Sequence, residues 1–128
     1  ILTKTLKFVT DVSAAVRDVA YAKSLLERQI YIVDRCTELL KRADGLDVSL
    51  YRNVESSVSS VLVNNNSLID LLTSTLTTRF KMNDSERLNT LMSIKAEQTQ
   101  LLQNLHTTDM IISTSINTKD IMDYQLFR

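Results

Sequence analysis

Apolar residues in the middle of the chain recur at alternating spacings of three and four positions, without interruption. This spacing places them on one face of an α-helix, and it is the heptad pattern of helices that pack side by side at a shallow angle. It predicts a core-facing helix over residues 48–81. The residues on this stripe are Tyr51, Val54, Val58, Val61, Asn65, Leu68, Leu72 and Thr75.

Stripes with helical spacing also run through the first and last thirds of the chain and predict helices over residues 2–43 and 84–125. The segment 106–109 is polar and could interrupt the third helix, which we interpret as continuous through His106. In the first helix the stripe comprises Leu2, Leu6, Val9, Val16, Val19, Leu26, Ile30, Val33 and Leu40. In the third it comprises Leu88, Leu91, Ile94, Gln98, Leu101, Leu105, Thr108, Ile112, Ile116 and Met122.

Two short polar segments separate these stripes and predict the turns. Gly45 can adopt the left-handed conformation that ends a helix, and Asp47 can then cap the start of the next one. Asn83, followed three positions later by Glu86, approximates a capping box, with Ser85 as the alternative cap.

The composition agrees with an all-α fold, since the 128 residues include one glycine and no proline. Short connections make consecutive helices antiparallel, and helices of this length form rods of about 60 Å. We therefore expect one domain over residues 1–128, an elongated, antiparallel, coiled-coil-like three-helix bundle that could oligomerise. The chain begins at isoleucine, and we expect it to be a fragment of a larger protein.

Charge and hydropathy exclude several classes of partner. Fifteen acidic and fifteen basic residues cancel, whereas nucleic acids and anionic membrane surfaces select a basic excess. The longest uncharged run, Ser56 to Ile69, is shorter than the ~20 apolar residues that a membrane span requires. The single cysteine, Cys36, cannot form an internal disulfide, so we expect a reducing, cytoplasmic environment.

The second helix is poor in charge, since Asp70 is the only charged residue between Ser56 and Thr78. Charged residues are depleted at the centres of interfaces, which suggests that a partner or another copy of the chain covers this helix. The alternative is that serine, threonine and asparagine form an uncharged solvated face. The first interpretation predicts a homo-oligomeric or helical-partner interface at Val58, Val61, Asn65, Leu68 and Leu72.

Asn65 has two interpretations. On the heptad it occupies a core position, where a buried asparagine can fix register or oligomeric state. Alternatively, the helix is rotated slightly and Asn65 is exposed together with Asn64 and Asn66. Three successive asparagines cover most of the helix circumference, and this favours the exposed position.

Residues with catalytic or metal-binding chemistry do not cluster in the sequence. His106 is the only histidine and Cys36 the only cysteine, and a zinc site requires three or four ligands. We expect a surface position for His106 and a buried structural thiol for Cys36. The sequence contains no Glu-x-x-His motif, glycine-rich phosphate loop or nucleophile elbow, so we expect no enzymatic activity, cofactor or metal.

These features favour a scaffold or adaptor domain that binds other proteins within an assembly such as trafficking, tethering or cytoskeletal machinery. Two other classes fit long hydroxyl-rich helices. One is a bacterial sensory bundle that transmits displacements along its length. The other is a segment of a secreted helical effector or translocator.

Overall fold

The computed structural model describes the backbone of residues 2–77 and 82–127 and the side chains of residues 17–77 and 82–126. It contains α1 (Leu2–Ala43), α2 (Val48–Thr77) and α3 (Asp84–Phe127). Each helix packs against both others. The short turn between α1 and α2 makes these helices antiparallel, and the contacts of Asp18 with Arg87 and of Arg42 with Asp109 show that α1 runs parallel to α3. The all-α, elongated three-helix bundle predicted from the sequence is confirmed.

The helix bounds agree closely with the predicted ones. α3 is continuous through His106, as predicted, and extends to Phe127. The predicted end of the second helix, at residue 81, lies outside the described residues. At 1.5 Å per residue, the 42 residues of α1 span about 63 Å.

Gly45 ends α1 in the predicted left-handed conformation, with φ of 88°. The Leu46 N–H donates to the Ala43 carbonyl, with 3.1 Å between nitrogen and oxygen. A Cβ atom at Gly45 would meet nothing within 4 Å, so backbone conformation rather than space requires glycine here. α2 begins at Val48, which leaves Asp47 in the predicted N-cap position.

Asn83 caps α3, as predicted. Its Oδ1 accepts a hydrogen bond from the Glu86 backbone N–H at 2.8 Å, and its Nδ2 donates to Glu86 Oε1 at 2.9 Å. The reciprocal bond involves two side chains, whereas in the standard capping box the side chain of the fourth residue accepts from the cap's backbone N–H. Ser85, the alternative cap, lies within the first turn of the helix.

Each helix buries one heptad stripe whose spacings alternate between three and four. The buried residues of α2 are those predicted: Val54, Val58, Val61, Asn65, Leu68, Leu72 and Thr75, with Tyr51 half-buried. In α3 they are Arg87, Leu91, Ile94, Gln98, Leu101, Leu105, Thr108 and Ile112. The α3 prediction is therefore confirmed over most of its length, but Leu88 is half-buried and Met122 is exposed.

The predicted core stripe of α1 is wrong. Except for the half-buried Leu40, its described apolar members face outward, and the core uses a neighbouring stripe that includes polar side chains. The exposed fractions are 64% for Val19, 47% for Leu26, 55% for Ile30 and 38% for Val33. The buried stripe is Asp18, Ala22, Leu25, Gln29, Ile32, Cys36, Leu39 and Ala43. The side chains of Leu2, Leu6, Val9 and Val16 lie outside the described residues.

Candidate interaction surface

The core contains two polar layers, which fix how the three helices align. Asp18, Thr75 and Arg87 form one layer near the N-terminal end of α3. A second layer lies farther along the bundle and combines three buried amides, Gln29, Asn65 and Gln98. Because every helix carries the same heptad spacing, these layers set the register of the apolar layers between them.

Asn65 is fully buried, so the interpretation that placed it on the surface is wrong. Its Nδ2 donates to the Gln29 carbonyl oxygen at 3.2 Å. Asn64 and Asn66 are exposed, as expected for an α-helix in which successive residues point about 100° apart. The exposed neighbours therefore gave no information about Asn65 itself.

The amide of Gln98 is satisfied, whereas that of Gln29 is not. Gln98 Nε2 donates to the Leu25 carbonyl at 2.8 Å, and its Oε1 accepts from Arg28 Nε at 3.0 Å. Neither polar atom of the buried Gln29 side chain has a hydrogen-bond partner, and Asn65 Oδ1 also lacks one. The central layer therefore contains polar groups whose desolvation is uncompensated.

The five residues predicted as an interface with another chain lie inside the bundle. Val58, Val61, Asn65, Leu68 and Leu72 are all buried among the three helices. An interface with a second chain at these positions stays a prediction, and it would require the helices to separate. In the closed bundle, a partner can reach only the outer faces and the grooves between helices.

The groove between α1 and α3 is covered by ion pairs. Arg28, Arg35 and Arg42 follow one another at intervals of seven residues along α1 and reach across to α3. Asp109 pairs with both Arg35, at 2.9 Å, and Arg42. Arg42 also donates to the Ser113 hydroxyl at 2.8 Å. This groove is therefore occupied by the chain's own side chains.

The groove between α2 and α3 is polar but uncharged. A shallow cavity there is lined mainly by hydroxyl and amide side chains, with two aliphatic residues at its base and edge. The lining residues are Ser56, Ser57, Ser60, Val61, Asn104, Thr107, Thr108 and Ile111. Water can solvate such a surface well, and nothing there resembles an apolar binding surface.

The groove between α1 and α2 is apolar, and we refer to it as the apolar groove. On α1, the arginines that reach α3 lie to one side of the buried stripe, so the exposed aliphatic residues on its other side border α2. Because Asn65 lies beside Gln29 and the two helices are antiparallel, the register places apolar residues of α1 opposite apolar residues of α2. The opposed pairs are Val19 with Leu76, Leu26 with Ile69, and Val33 with Leu62.

Leu62 and Ile69 are half-buried in this groove, while Leu76 is 38% exposed. The α1 residues of the groove are more exposed than those of α2, so α1 contributes most of the accessible apolar surface. From Val19 to Val33 the opposed apolar pairs extend about 21 Å, at 1.5 Å per residue, and the next residue of the α2 row at this spacing is Glu55. Exposed apolar rows of this kind can mark an interaction site.

The two residues with potential chemistry, Cys36 and His106, occupy different environments. Cys36 is buried in the core, where desolvation raises the pKa of its thiol from 9.0 to about 11. His106 is exposed beside Arg35 and Tyr31. Within the described side chains, no three histidine, cysteine or acidic residues group together in a way that could hold a metal ion. No described helix is long and apolar enough to span a membrane.

The groove could have been found in the sequence, because α1 carries two heptad stripes displaced by one residue. The buried stripe contains Asp18 and Gln29, whereas the outer stripe is aliphatic at most positions. Two such stripes on one helix indicate that it contacts more than one neighbouring surface.

The chain matches no protein-family model, and no similar curated protein or solved structure was found.

Proposed function

We propose that this chain is a non-enzymatic protein–protein interaction domain that binds a helical partner along the apolar groove. The observation that carries the proposal is the row of aliphatic side chains left exposed on α1 beside a matching row on α2. Burying these side chains would stabilise a complex by roughly 25 cal/mol per Å² of apolar surface. The groove combines apolar side chains with regular seven-residue spacing over three successive pairs.

The spacing of the groove favours a helix as its occupant. Opposed residues on α1 and α2 recur every seven positions, which is the repeat of a helix packed at a shallow angle. A helix of about 14 residues has the same length as this row of pairs. Its apolar residues would lie between the pairs formed by Leu26 with Ile69 and Val33 with Leu62, so that four helices share the enlarged core.

The proposal extends the scaffold or adaptor function predicted from the sequence, within trafficking, tethering or cytoskeletal assemblies. It also retains the cytoplasm as the compartment. The lone, buried Cys36 supports that location, because reduced thiols persist in a reducing environment. Long parallel and antiparallel helices suit a scaffold because they separate binding sites by a fixed distance.

Affinity capture with matched variants tests the proposed function. The bait proteins are the wild type, Leu26→Glu in the groove, and Met110→Glu on the exposed face of α3. We expect proteins captured by the wild type to be lost with Leu26→Glu, because a carboxylate would have to be desolvated in the groove. The same proteins should be retained with Met110→Glu. Equal recovery with all three baits would contradict binding through the groove.

A further inference from the structure

We propose that the bundle opens at α2, which unfolds locally while α1 and α3 stay paired. This conformational step is separate from the binding proposed for the apolar groove. It uncovers the core faces of all three helices, including the predicted interface at Val58, Val61, Asn65, Leu68 and Leu72. The observation behind it is an unequal distribution of polar contacts among three helices that pack against one another to the same extent.

Polar side chains join α1 to α3 along much of the bundle. Asp18 pairs with Arg87 at one end of this row, and Arg42 pairs with Asp109 at the other. From Asp18 to Arg42 the row covers about 36 Å, at 1.5 Å per residue. Releasing either helix from the bundle would break every one of these contacts. The others in the row are those of Leu25 and Arg28 with Gln98, of Arg28 with Thr99, of Arg35 with Asp109, and of Arg42 with Ser113.

α2 is joined to the other helices mainly by apolar packing. Within the described ranges its charged residues, Arg52, Glu55 and Asp70, enter no ion pair. The Asn65 amide donates to the Gln29 carbonyl oxygen at 3.2 Å. Because all three helices share the apolar core, releasing α2 costs similar apolar burial but fewer ion pairs and hydrogen bonds. α2 is therefore the helix with the lowest free energy of release.

The central amide layer lowers the cost of releasing α2 further. In the closed bundle both polar atoms of the Gln29 side chain and the Oδ1 atom of Asn65 are buried without a partner. Water reaches these atoms when α2 leaves, so their desolvation cost is recovered. Gln98 keeps its bonds in the open state, because its partners Leu25 and Arg28 lie on α1.

The composition of α2 favours unfolding once the helix is released. Serine, threonine and asparagine account for 14 of its 30 residues, compared with 6 of 42 in α1 and 13 of 44 in α3. These residues have lower helix propensity than alanine, leucine, lysine or glutamate. Isolated helices also depend on tertiary packing for most of their stability. A released α2 is therefore expected to lose its helical hydrogen bonds.

The connections at both ends of α2 allow this opening. Asp18 lies beside Arg87 and the two helices are parallel, so Asp84 lies near the height of residue 15 of α1. The end of α1 at Ala43 and the start of α3 are therefore about 42 Å apart along the bundle. An unfolded chain of about 40 residues, the length between them, has a root-mean-square extension of roughly 32–38 Å. It can span this distance without pulling α1 from α3.

Native-state hydrogen exchange, resolved by peptide and followed over low urea concentrations, tests the proposal. We expect amides of residues 54–72 to exchange at least about tenfold faster than the most protected amides of residues 22–39 and 91–108. Their opening should also depend less on urea, because it exposes less surface than global unfolding. Equal protection of the three helices, or lower protection of α1 or α3 than of α2, overturns the proposal.

Two variants distinguish this opening from fraying of a weak helix. Asp109→Asn removes the carboxylate shared by Arg35 and Arg42, whose contacts persist when α2 unfolds. It should speed exchange in α1 and α3 about tenfold and leave α2 within about threefold of the wild type. Val58→Ala, in the core face of α2, should speed exchange in all three helices about tenfold. If Asp109→Asn speeds α2 as much as α1 and α3, or Val58→Ala leaves α2 unchanged, the proposal fails.

Discussion

Asp18 and Arg87 form a buried ion pair between α1 and α3, with 2.9 Å between Asp18 Oδ2 and Arg87 Nη1. The exposed fractions of the side chains are 4% and 11%. Arg87 also pairs with Asp84, at 3.1 Å, and Asp18 pairs with the more exposed Arg17. This layer joins two helices at positions far apart in sequence, in a core that is otherwise largely apolar.

Replacing Arg87 with methionine should lower the free energy of unfolding by about 3 kcal/mol, because a buried carboxylate loses its main partner. Urea denaturation with a fixed slope measures this change. The double variant D18L/R87M serves as the comparison, and it should recover most of the loss because no buried charge is left without a partner. Equal destabilisation in the single and double variants would mean that packing, rather than charge, determines the cost.

Gln29→Leu should stabilise the bundle by about 1 kcal/mol, since it removes a buried amide whose two polar atoms have no partner. Leucine has a similar volume, and the backbone carbonyl of residue 29 still accepts the hydrogen bond from Asn65. The matched control is Gln98→Leu. It should destabilise by about 1–3 kcal/mol because it removes the bonds to Leu25 and Arg28. If Gln29→Leu destabilised the protein as much, the Gln29 amide would have a partner.

The sequence predicted α2 better than α1 for a physical reason. In α2 the core stripe is apolar at most positions, whereas the neighbouring stripe alternates Leu62, Ile69 and Leu76 with charged, hydroxyl and amide residues. The heptad stripe through Val58 and Leu68 therefore has a weaker aliphatic competitor than the core stripe of α1 has. The heptad spacing alone places Asn65 in the core, and only the two neighbouring asparagines argued for an exposed position.

In α1 two stripes compete, and the more apolar of them faces outward. Apolar periodicity selects the stripe with Leu26 and Ile30, whereas the core uses the stripe with Gln29 and Asp18. Asp18 in the buried stripe is accommodated by its ion pair with Arg87 of α3, which the local sequence does not reveal. The apolar groove was missed for the same reason, because the stripe that apolar periodicity assigns to the core of α1 is the one that forms a wall of the groove.

Asn83→Ala should lower the free energy of unfolding by about 1 kcal/mol, the usual contribution of an N-cap. The variant removes the acceptor for the Glu86 backbone N–H and the donor to the Glu86 carboxylate. Ser85→Ala is the control, because Ser85 is exposed in the first turn of α3, and it should change stability by less than about 0.5 kcal/mol. A larger effect at Ser85 than at Asn83 would assign the cap to the serine.

Cys36 should make stability depend on alkaline pH. Burial raises the pKa of its thiol from 9.0 to about 11, so above pH 9 the unfolded chain releases this proton before the folded chain does. The folded state then binds more protons, and the free energy of unfolding falls as pH rises from about 9 to 11. The Cys36 contribution is fully present below pH 9 and is lost by up to about 3 kcal/mol above pH 11.

The matched comparison for this prediction is Cys36→Ala, which lacks the thiol. Urea denaturation of both proteins at pH 7 to 11 isolates the thiol, because the contributions of the other groups are common to both. The stability difference between wild type and variant should be constant up to pH 9 and then shift in favour of the variant. A difference that stays constant to pH 11 would show that the thiolate is tolerated at this position, and the thiol should then react readily with iodoacetamide at pH 9 in the folded protein.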